Sequence, residues 1–303
     1  MKKLVSYLLL FVLLIFSACK TQDIKQKSEP DILEKSLLWS ITDAELKDTS
    51  FLFGTVHIIP EEDFFWPEGM LGAIAGSDEI IMEIDLDDMY DLGKQMALLP
   101  KLIMKDGIGL KDLYTEEEYT IVKGHFADMG IPFFIMEKLK PMFLIVFASG
   151  DFEMGQDFEQ GGFKSYEMEI YEKAQESDIE VGGLETIEYQ VSVFDSIPYE
   201  RQADMLLDAI QTAGEEDDAM EQMFEIYKQQ DLDAMVLSMD EDEDIKDFED
   251  ILNHNRNQNW IPLIEERIKE RSCFFAVGAG HLGGDKGVIR LLRKEGYKVE
   301  AYK

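Results

Sequence analysis

Residues 273–302 read CFFAVGAGHLGGDKGVIRLLRKEGYKVEAY, and this stretch decides the fold. Cys273 to Val277 is an unbroken apolar run of strand length, the pattern of a strand buried on both faces. Gly278-Ala279-Gly280-His281 is a tight turn. Val288, Leu291 and Leu292 share one face of a helix that Asp285 caps and Gly296 stops. Tyr297 to Tyr302 is a last strand. Strand, helix and strand in that order form a βαβ unit and imply parallel pairing.

The same ending occurs near the start of the domain, in FLFGTVH, Phe51 to His57. In both places an apolar, β-favouring run is broken by glycine, and a histidine stands three residues later. The chain has only 4 histidines, so two in matching settings carry information. The spacing predicts that both lie at the ends of neighbouring strands and face one pocket.

The rest of the chain reads outward from these two anchors. Leu37 to Ile41 and Ser50 to Val56 are two strands joined by a short polar stretch, which predicts a hairpin. Glu79 to Leu86, EIIMEIDL, is a central strand with Glu83 inside its apolar run. Thr115 starts a helix, with Glu118 completing a capping box. Lys140-Pro141 opens an apolar helix, Glu153 to Phe163 is a loop, and Lys164 to Glu176 is a helix. Ile179 to Gly182 is a strand, after which Gly183 to Thr186 turns into another helix. From Tyr199 to Lys269 the period is helical. The fold class is therefore α/β: a mixed, largely parallel central sheet flanked by helices, with a large helical insertion in the second half.

Composition narrows the function classes. The formal net charge is −34 and the pI near 4.3, which argues against nucleic-acid partners and against adsorption to anionic lipid through the body of the domain. With 46% hydrophobic residues the chain can bury a real core. Lys2 and Lys3 precede an apolar run, Leu4 to Phe16, shorter than the roughly 20 residues of a spanning helix. Ser17, Ala18 and Cys19 follow. This reads as an export signal over 1–18 with Cys19 as the lipidated residue, against an ordinary cleaved signal or an uncleaved anchor. Residues 19–35 are a polar tether and 36–303 the domain. Cys273 is the only other cysteine, so it has no disulfide partner and reads as a buried thiol. The acidic run Asp240 to Asp250 lacks the glycine and the final glutamate of an EF-hand loop and reads as a solvated helix start.

Parallel sheets place ligands at the carboxyl ends of their strands. His57, Glu83, Glu185 and His281 fall at or near such ends, and imidazole with carboxylate is a usual ligand set for a divalent metal. Gly54, Gly278 and Gly280 would let the backbone approach a bound group. Each has a plain structural reading too. Glu83 could pair with a lysine or arginine, and Glu185 could be a first-turn helix acid. Asn255, Arg256, Asn257 and Trp260 look like a helix start, although Arg256 could instead hold a carboxylate or an oxyanion.

Several pieces together resemble the TraB/GumN family, whose animal relatives are the Tiki proteins. They are GTVH at 54–57, the strand with Glu83, Lys140-Pro141, GLETIEYQ at 183–190, RNQNW at 256–260 and VGAGHLGGDKGVIRLLRKEGYKVE at 277–300. The resemblance implies one α/β domain of the kind shared with erythromycin-esterase-like and haem-uptake ChaN-like proteins. It implies an active centre of both G-x-x-H histidines and the strand glutamate. The Tiki branch implies a metal-dependent protease using manganese or cobalt rather than a zinc motif. The TraB branch implies shutdown or sequestration of peptide pheromones. One departure stands out: Ser165-Tyr166-Glu167 aligns where relatives carry Gly-hydrophobic-Asp, so Glu167 keeps the charge on a longer arm.

The expectation is an envelope-anchored, metal-dependent hydrolase acting on peptides. His57, Glu83 and His281 bind the metal, Glu185 is a supporting carboxylate or general base, and Arg256 stabilises charge. Gly54, Gly278, Gly280 and Asn257 line the substrate. The membrane is reached only through the lipid on Cys19. The alternative is a periplasmic or surface protein that captures a peptide or small ligand without turnover, and a third reading is a purely structural lipoprotein. Substrate, metal identity and oligomeric state are not legible in the residues.

Overall fold

The structure is a computed structural model that describes residues 32–128, 132–145, 162–212, 217–240 and 248–303. The expected signal segment, Cys19, most of the tether, nearly all of the 153–163 loop and residues 241–247 of the acidic run lie outside the described residues. Leu33–Lys303 forms one compact unit.

A six-stranded sheet organises it. The strands are β1 (Leu38–Thr42), β2 (Ser50–Thr55), β4 (Glu79–Ile84), β6 (Glu180–Glu185), β7 (Cys273–Gly278) and β8 (Lys298–Ala301), in the order β6-β4-β7-β2-β1-β8. A separate two-stranded ribbon pairs β3 (Ile59–Pro60) with β5 (Phe163–Lys164). β7 lies at the centre, parallel to β2 on one side and to β4 on the other. All of β2 and nearly all of β7 are buried, which is why both read as continuous apolar runs. β1 and β2 form the expected hairpin, with Trp39 opposite Leu52.

The last strand differs from expectation. β8 runs in the same direction as β7 but does not pair with it; it closes the far edge, antiparallel to β1, with Trp39 opposite Ala301. Both edges of β7 are already hydrogen-bonded, so the crossover carries β8 past β2 and β1 to the first open edge. The helix in that crossover, Val288–Glu295, is preceded by Gly287 and has no side-chain cap, so Asp285 does not cap it. Its other end is as expected: Gly296 has φ 105°, a left-handed conformation that suits glycine.

Helices fill the gaps between the later strands. Between β4 and β5 lie α1 (Leu92–Leu102) and α2 (Glu116–Asp128). Thr115 and Glu118 exchange backbone and side-chain hydrogen bonds at the start of α2, forming the expected capping box. Lys140-Pro141 begins a 3-10 turn, Pro141–Phe143, and the rest of the expected apolar helix, from 146 on, lies outside the described residues. α3 (Tyr166–Glu176) precedes β6. Between β6 and β7 comes the long helical insertion: α4 (Ile187–Val193), α5 (Tyr199–Thr212), α6 (Asp217–Lys228), α7 (Leu232–Asp240) and α8 (Asn255–Glu270). The helix after β7, Val288–Glu295, is α9.

Two cores result. Trp39, Phe53, Phe274, Phe275 and Trp260 belong to the main one around the sheet. Leu110, Val122, Phe126, Leu144 and Leu206 form a second among the helices. Among the described residues no helix is long and apolar enough to cross a membrane.

Candidate functional site

The parallel strands β2, β7, β4 and β6 end together along one edge, with Thr55 beside Gly278 and Ile84 beside Glu185. The chain leaves that edge at His57 and His281, while Glu83 and Glu185 point from the last residues of β4 and β6. Glu185 is therefore the final residue of a strand, not a first-turn helix acid. β6 runs three residues further than its apolar pattern suggested.

Arg256, in the first turn of α8, gathers three of these groups. Its Nε lies 3.1 and 3.0 Å from the two carboxylate oxygens of Glu185, and Nη2 lies 2.8 Å from one of them. Nη2 also donates to Glu83 Oε2 at 2.6 Å, and Nη1 donates to the Leu252 carbonyl at 3.1 Å. Nη1 lies 3.2 Å from His281 Nε2. The guanidinium carbon sits 5.1 Å from the ring centre of Trp260, which also packs 4.5 Å from the His281 ring. The Glu185 side chain is only 4% exposed, and Arg256 compensates its charge.

Glu83 is held on every side. Gly278 N–H donates to Oε1 at 2.9 Å and Gln190 Nε2 to Oε2 at 2.9 Å, beside the Arg256 contact. Burial would raise its pKa, but the charges of His281 and Arg256 and the Gly278 N–H outweigh burial and hold the carboxyl well below the usual carboxylate range.

His281 is buried. Its Nδ1 is 2.7 Å from Asn257 Oδ1, and the Asn257 amide nitrogen donates to the carbonyls of His281 and Lys286. With both amide hydrogens spent on carbonyls, the Asn257 oxygen faces the ring. This network assigns the proton to Nδ1 and the lone pair to Nε2, 3.7 Å from Glu83 Oε1. Burial, only partly offset by Glu83, lowers the imidazole pKa to about 4.

His57 is in the opposite setting. Its Nδ1 lies 3.0 Å from Glu167 Oε1, and that hydrogen bond raises its pKa to about 9. The imidazole is 79% exposed at the rim, so solvent screens the pair and little stability follows from it. Burial raises the Glu167 pKa less than His57 and Thr55 lower it, so this carboxyl also lies below its ordinary value.

A cleft of about 260 Å³ opens in front of these groups. His57, Glu83, Glu167 and Gln190 give it a polar side, and Met82, Met89 and Met168 are among its apolar walls. Glu185, Arg256 and His281 are not in its lining; they lie behind Glu83 and reach it through that carboxylate.

The residues expected to line substrate have other partners. A side chain at Gly54 would meet Ala279 at 3.1 Å, so this glycine lets β2 approach the turn after β7. Gly280 packs on Met239, and a Cβ there would come within 2.8 Å of its sulfur. Gly278 serves Glu83 through its N–H, and Asn257 serves His281. Sequence reading missed Gln190, Thr55 and the contact of Glu167 with His57. Only position offered a signal: Gln190 ends the quoted GLETIEYQ stretch, and Thr55 stands inside GTVH. The other two histidines are elsewhere, His125 on α2 and His254 among Glu249, Asp250 and Lys286.

The donors suit a divalent cation in kind. His281 has its Nδ1 tied to Asn257, as the non-ligating nitrogen of a metal-bound histidine is tied, while its Nε2 meets Arg256 Nη1 at 3.2 Å. They are not gathered into a closed set: His57 is turned onto Glu167, and among the described residues no three His, Cys, Asp or Glu side chains are grouped to hold an ion.

Comparisons with known proteins agree with this geometry at the level of family. A metalloprotease TIKI2 from Danio rerio is 21% identical over 94% of this chain and 65% of its own length. TIKI2 from Xenopus tropicalis is 23% identical over 90% of the chain and 61% of its length. Metalloprotease TIKI1 from Homo sapiens is 21% identical over 88% and 61%. The chain thus spans less than two thirds of the length of these relatives. No solved structure matches. The model of the TraB/PrgY/gumN family matches residues 37–301, almost the whole described domain, and the chain belongs to that family.

Proposed function

We propose that the protein is a metal-dependent hydrolase that acts on peptides and is exported to the cell envelope, anchored through lipid on Cys19. The single observation that supports this reading is that His57, Glu83 and His281 stand at or just after the carboxyl ends of three adjacent parallel strands. Those three side chains would hold the cation, which when bound would supply Lewis acidity towards a carbonyl and an acidified water. Manganese or cobalt is expected before zinc, following the family resemblance.

The chain's own residues divide the remaining work. Asn257 fixes the His281 ring. Gly278 and Gln190 fix Glu83. Arg256 bridges Glu83 and Glu185, with Glu185 in turn aligning the guanidinium, so both act through Glu83 and His281 rather than on substrate. The methionine-lined wall of the cleft takes an apolar part of the peptide, since thioether side chains adapt to varied shapes.

The test is reconstitution of the purified domain with manganese, cobalt and zinc, followed by metal analysis and digestion of a peptide library. One divalent ion per chain is expected, lost in His281→Ala, with product formation lost in His57→Ala. A wild type that retains none of the three metals would overturn the reading. One observation favours a second reading, a binding protein without turnover: Arg256 engages Glu83, Glu185 and His281, so protein partners already occupy groups that a cation would need. Peptide binding that persists without cleavage in every metal would favour it.

A further inference from the structure

Glu167 is the one carboxylate of the cleft to which the proposed mechanism gives no part. It is the second residue of α3, 110 positions from His57, and three donors from two separate elements converge on it. Thr55 Oγ1, at the end of β2, donates to Oε1 at 2.7 Å. His57 Nδ1 meets the same oxygen at 3.0 Å. Ser165 Oγ, on the N-cap residue of α3, donates to Oε2 at 2.9 Å. The helix is itself pinned to the sheet, because the buried Tyr166 packs 5.4 Å from Phe53 and donates its hydroxyl to the Phe65 carbonyl at 2.7 Å. Glu167 is thus a fixed acceptor beside a ring that is otherwise free at the rim.

The arrangement around His281 is the same in plan. There too the ring is held at Nδ1, by an oxygen that other hydrogen bonds keep in place. At His57 Nε2 is the nitrogen left for a ligand, whereas His281 Nε2 meets Arg256 Nη1 at 3.2 Å. A ring fixed in advance does not lose rotamer freedom when it binds.

We propose that Glu167 is the positioning residue for His57, holding the imidazole by Nδ1 so that Nε2 is the atom offered to the cleft. Its own oxygens are engaged by Thr55, Ser165 and His57, so it acts through His57 and not as a ligand. The inference rests on the metal-binding reading for its consequence, but not for its geometry. A glutamine here keeps an acceptor of the same length without the charge, whereas alanine keeps neither.

The experiment uses the full domain as wild type, Glu167→Gln and Glu167→Ala, with ring-labelled histidine. The first measurement is the downfield Hδ1 resonance of His57 without metal. It is expected in wild type and Glu167→Gln, and lost in Glu167→Ala. The second is calorimetric titration with cobalt and manganese ions. Affinity should fall about 10–100-fold in Glu167→Ala, the usual effect of removing a partner that orients a ligand, and less than about tenfold in Glu167→Gln. If Glu167→Ala does not fold, Glu167→Met replaces it, since it keeps the side-chain length without an acceptor. Equal losses in the glutamine and alanine variants would overturn the proposal, because they would make Glu167 a ligand. So would a wild type with no protected Hδ1. A wild type that binds neither ion would sink the metal reading alone, since the Hδ1 result still decides the role of Glu167.

Discussion

Arg256→Ala tests the account of the site most directly. The guanidinium makes three contacts to Glu185, one to Glu83, one to the Leu252 carbonyl and one to His281. Side-chain exposure is 10% for Arg256, 12% for Glu83 and 4% for Glu185, so solvent replaces little of what is lost. Removing one partner from a buried ion pair costs about 3–5 kcal/mol, because an uncompensated charge stays behind. Here two carboxylates stay behind. At roughly 2–4 °C per kcal/mol for a domain of this size, the melting temperature should fall by about 6–20 °C. Arg256→Lys keeps the charge but not the fork that reaches two carboxylates, and should lose about half as much.

The pH dependence has a definite sign. In the wild type the Glu83 pKa is depressed, so its contribution is present at neutral pH and fades as pH falls through the low folded value. In Arg256→Ala the depression is weaker, because one of the groups that lower that pKa is gone while His281 and the Gly278 N–H remain, so acid costs the variant less than the wild type. Urea unfolding followed by circular dichroism at about pH 7 and about pH 3 should therefore give a difference that shrinks on acidification. A loss below about 1 kcal/mol at neutral pH, or a difference that does not shrink, would refute the electrostatic role assigned to Arg256.

Two further predictions concern the scaffold. Burial, with Glu79 nearby, pushes the Cys273 thiol up to about 12, so a Cys19→Ser chain should not react with a disulfide reagent at mildly alkaline pH until it is unfolded; fast reaction of the native protein would contradict the buried placement. Asp233 accepts from Arg290 at 2.8 and 2.9 Å and from the backbone of Gly284 and Leu33. Burial opposes its charge, but these partners hold its pKa below 3.8, so it stabilises the fold above that value and ceases to do so as pH falls through the lower one. Asp233→Asn should cost about 1–3 kcal/mol near neutrality and flatten the wild-type loss of stability in acid, as read from melting curves across that range.

Local patterns carried much of the fold. The apolar runs at 51–53 and 273–277 gave the two central strands, the Thr115–Glu118 spacing gave a helix start, and Gly296 gave a helix end. These features depend on neighbours within a few residues. What failed depended on space. No local pattern tells that both edges of β7 are filled, so β8 was expected beside it rather than on β1. Glu185 looked like a helix acid because Gly182 and Gly183 break the apolar run that its strand continues through. The three strand-end groups His57, Glu83 and His281 were legible from residue type and position. An arginine for Glu83 and a carboxylate for Arg256 were each open in sequence, but not that they are each other's partners across 173 residues, nor that Glu167 reaches His57 across 110. The glycines misled for a related reason, since a glycine that admits a ligand and one that admits a neighbouring strand look alike in sequence.

The central place of β7 has a consequence for how the chain comes to exist. A protein is made from its first residue onward, and β7 begins at Cys273. Until it emerges, β2 and β4 have no common neighbour, and each offers an open apolar edge to any other extended chain. The nascent polypeptide can close its first hairpin early, but the sheet must wait until β7 has been made. Folding of this topology is governed by contacts distant in sequence and is correspondingly slow. A chain stopped before β7 would lack His281, Gly278 and the strand that joins both halves of the sheet. It would be a sticky fragment rather than a weakened form of the protein, so synthesis of β7 and assembly of the site are one event.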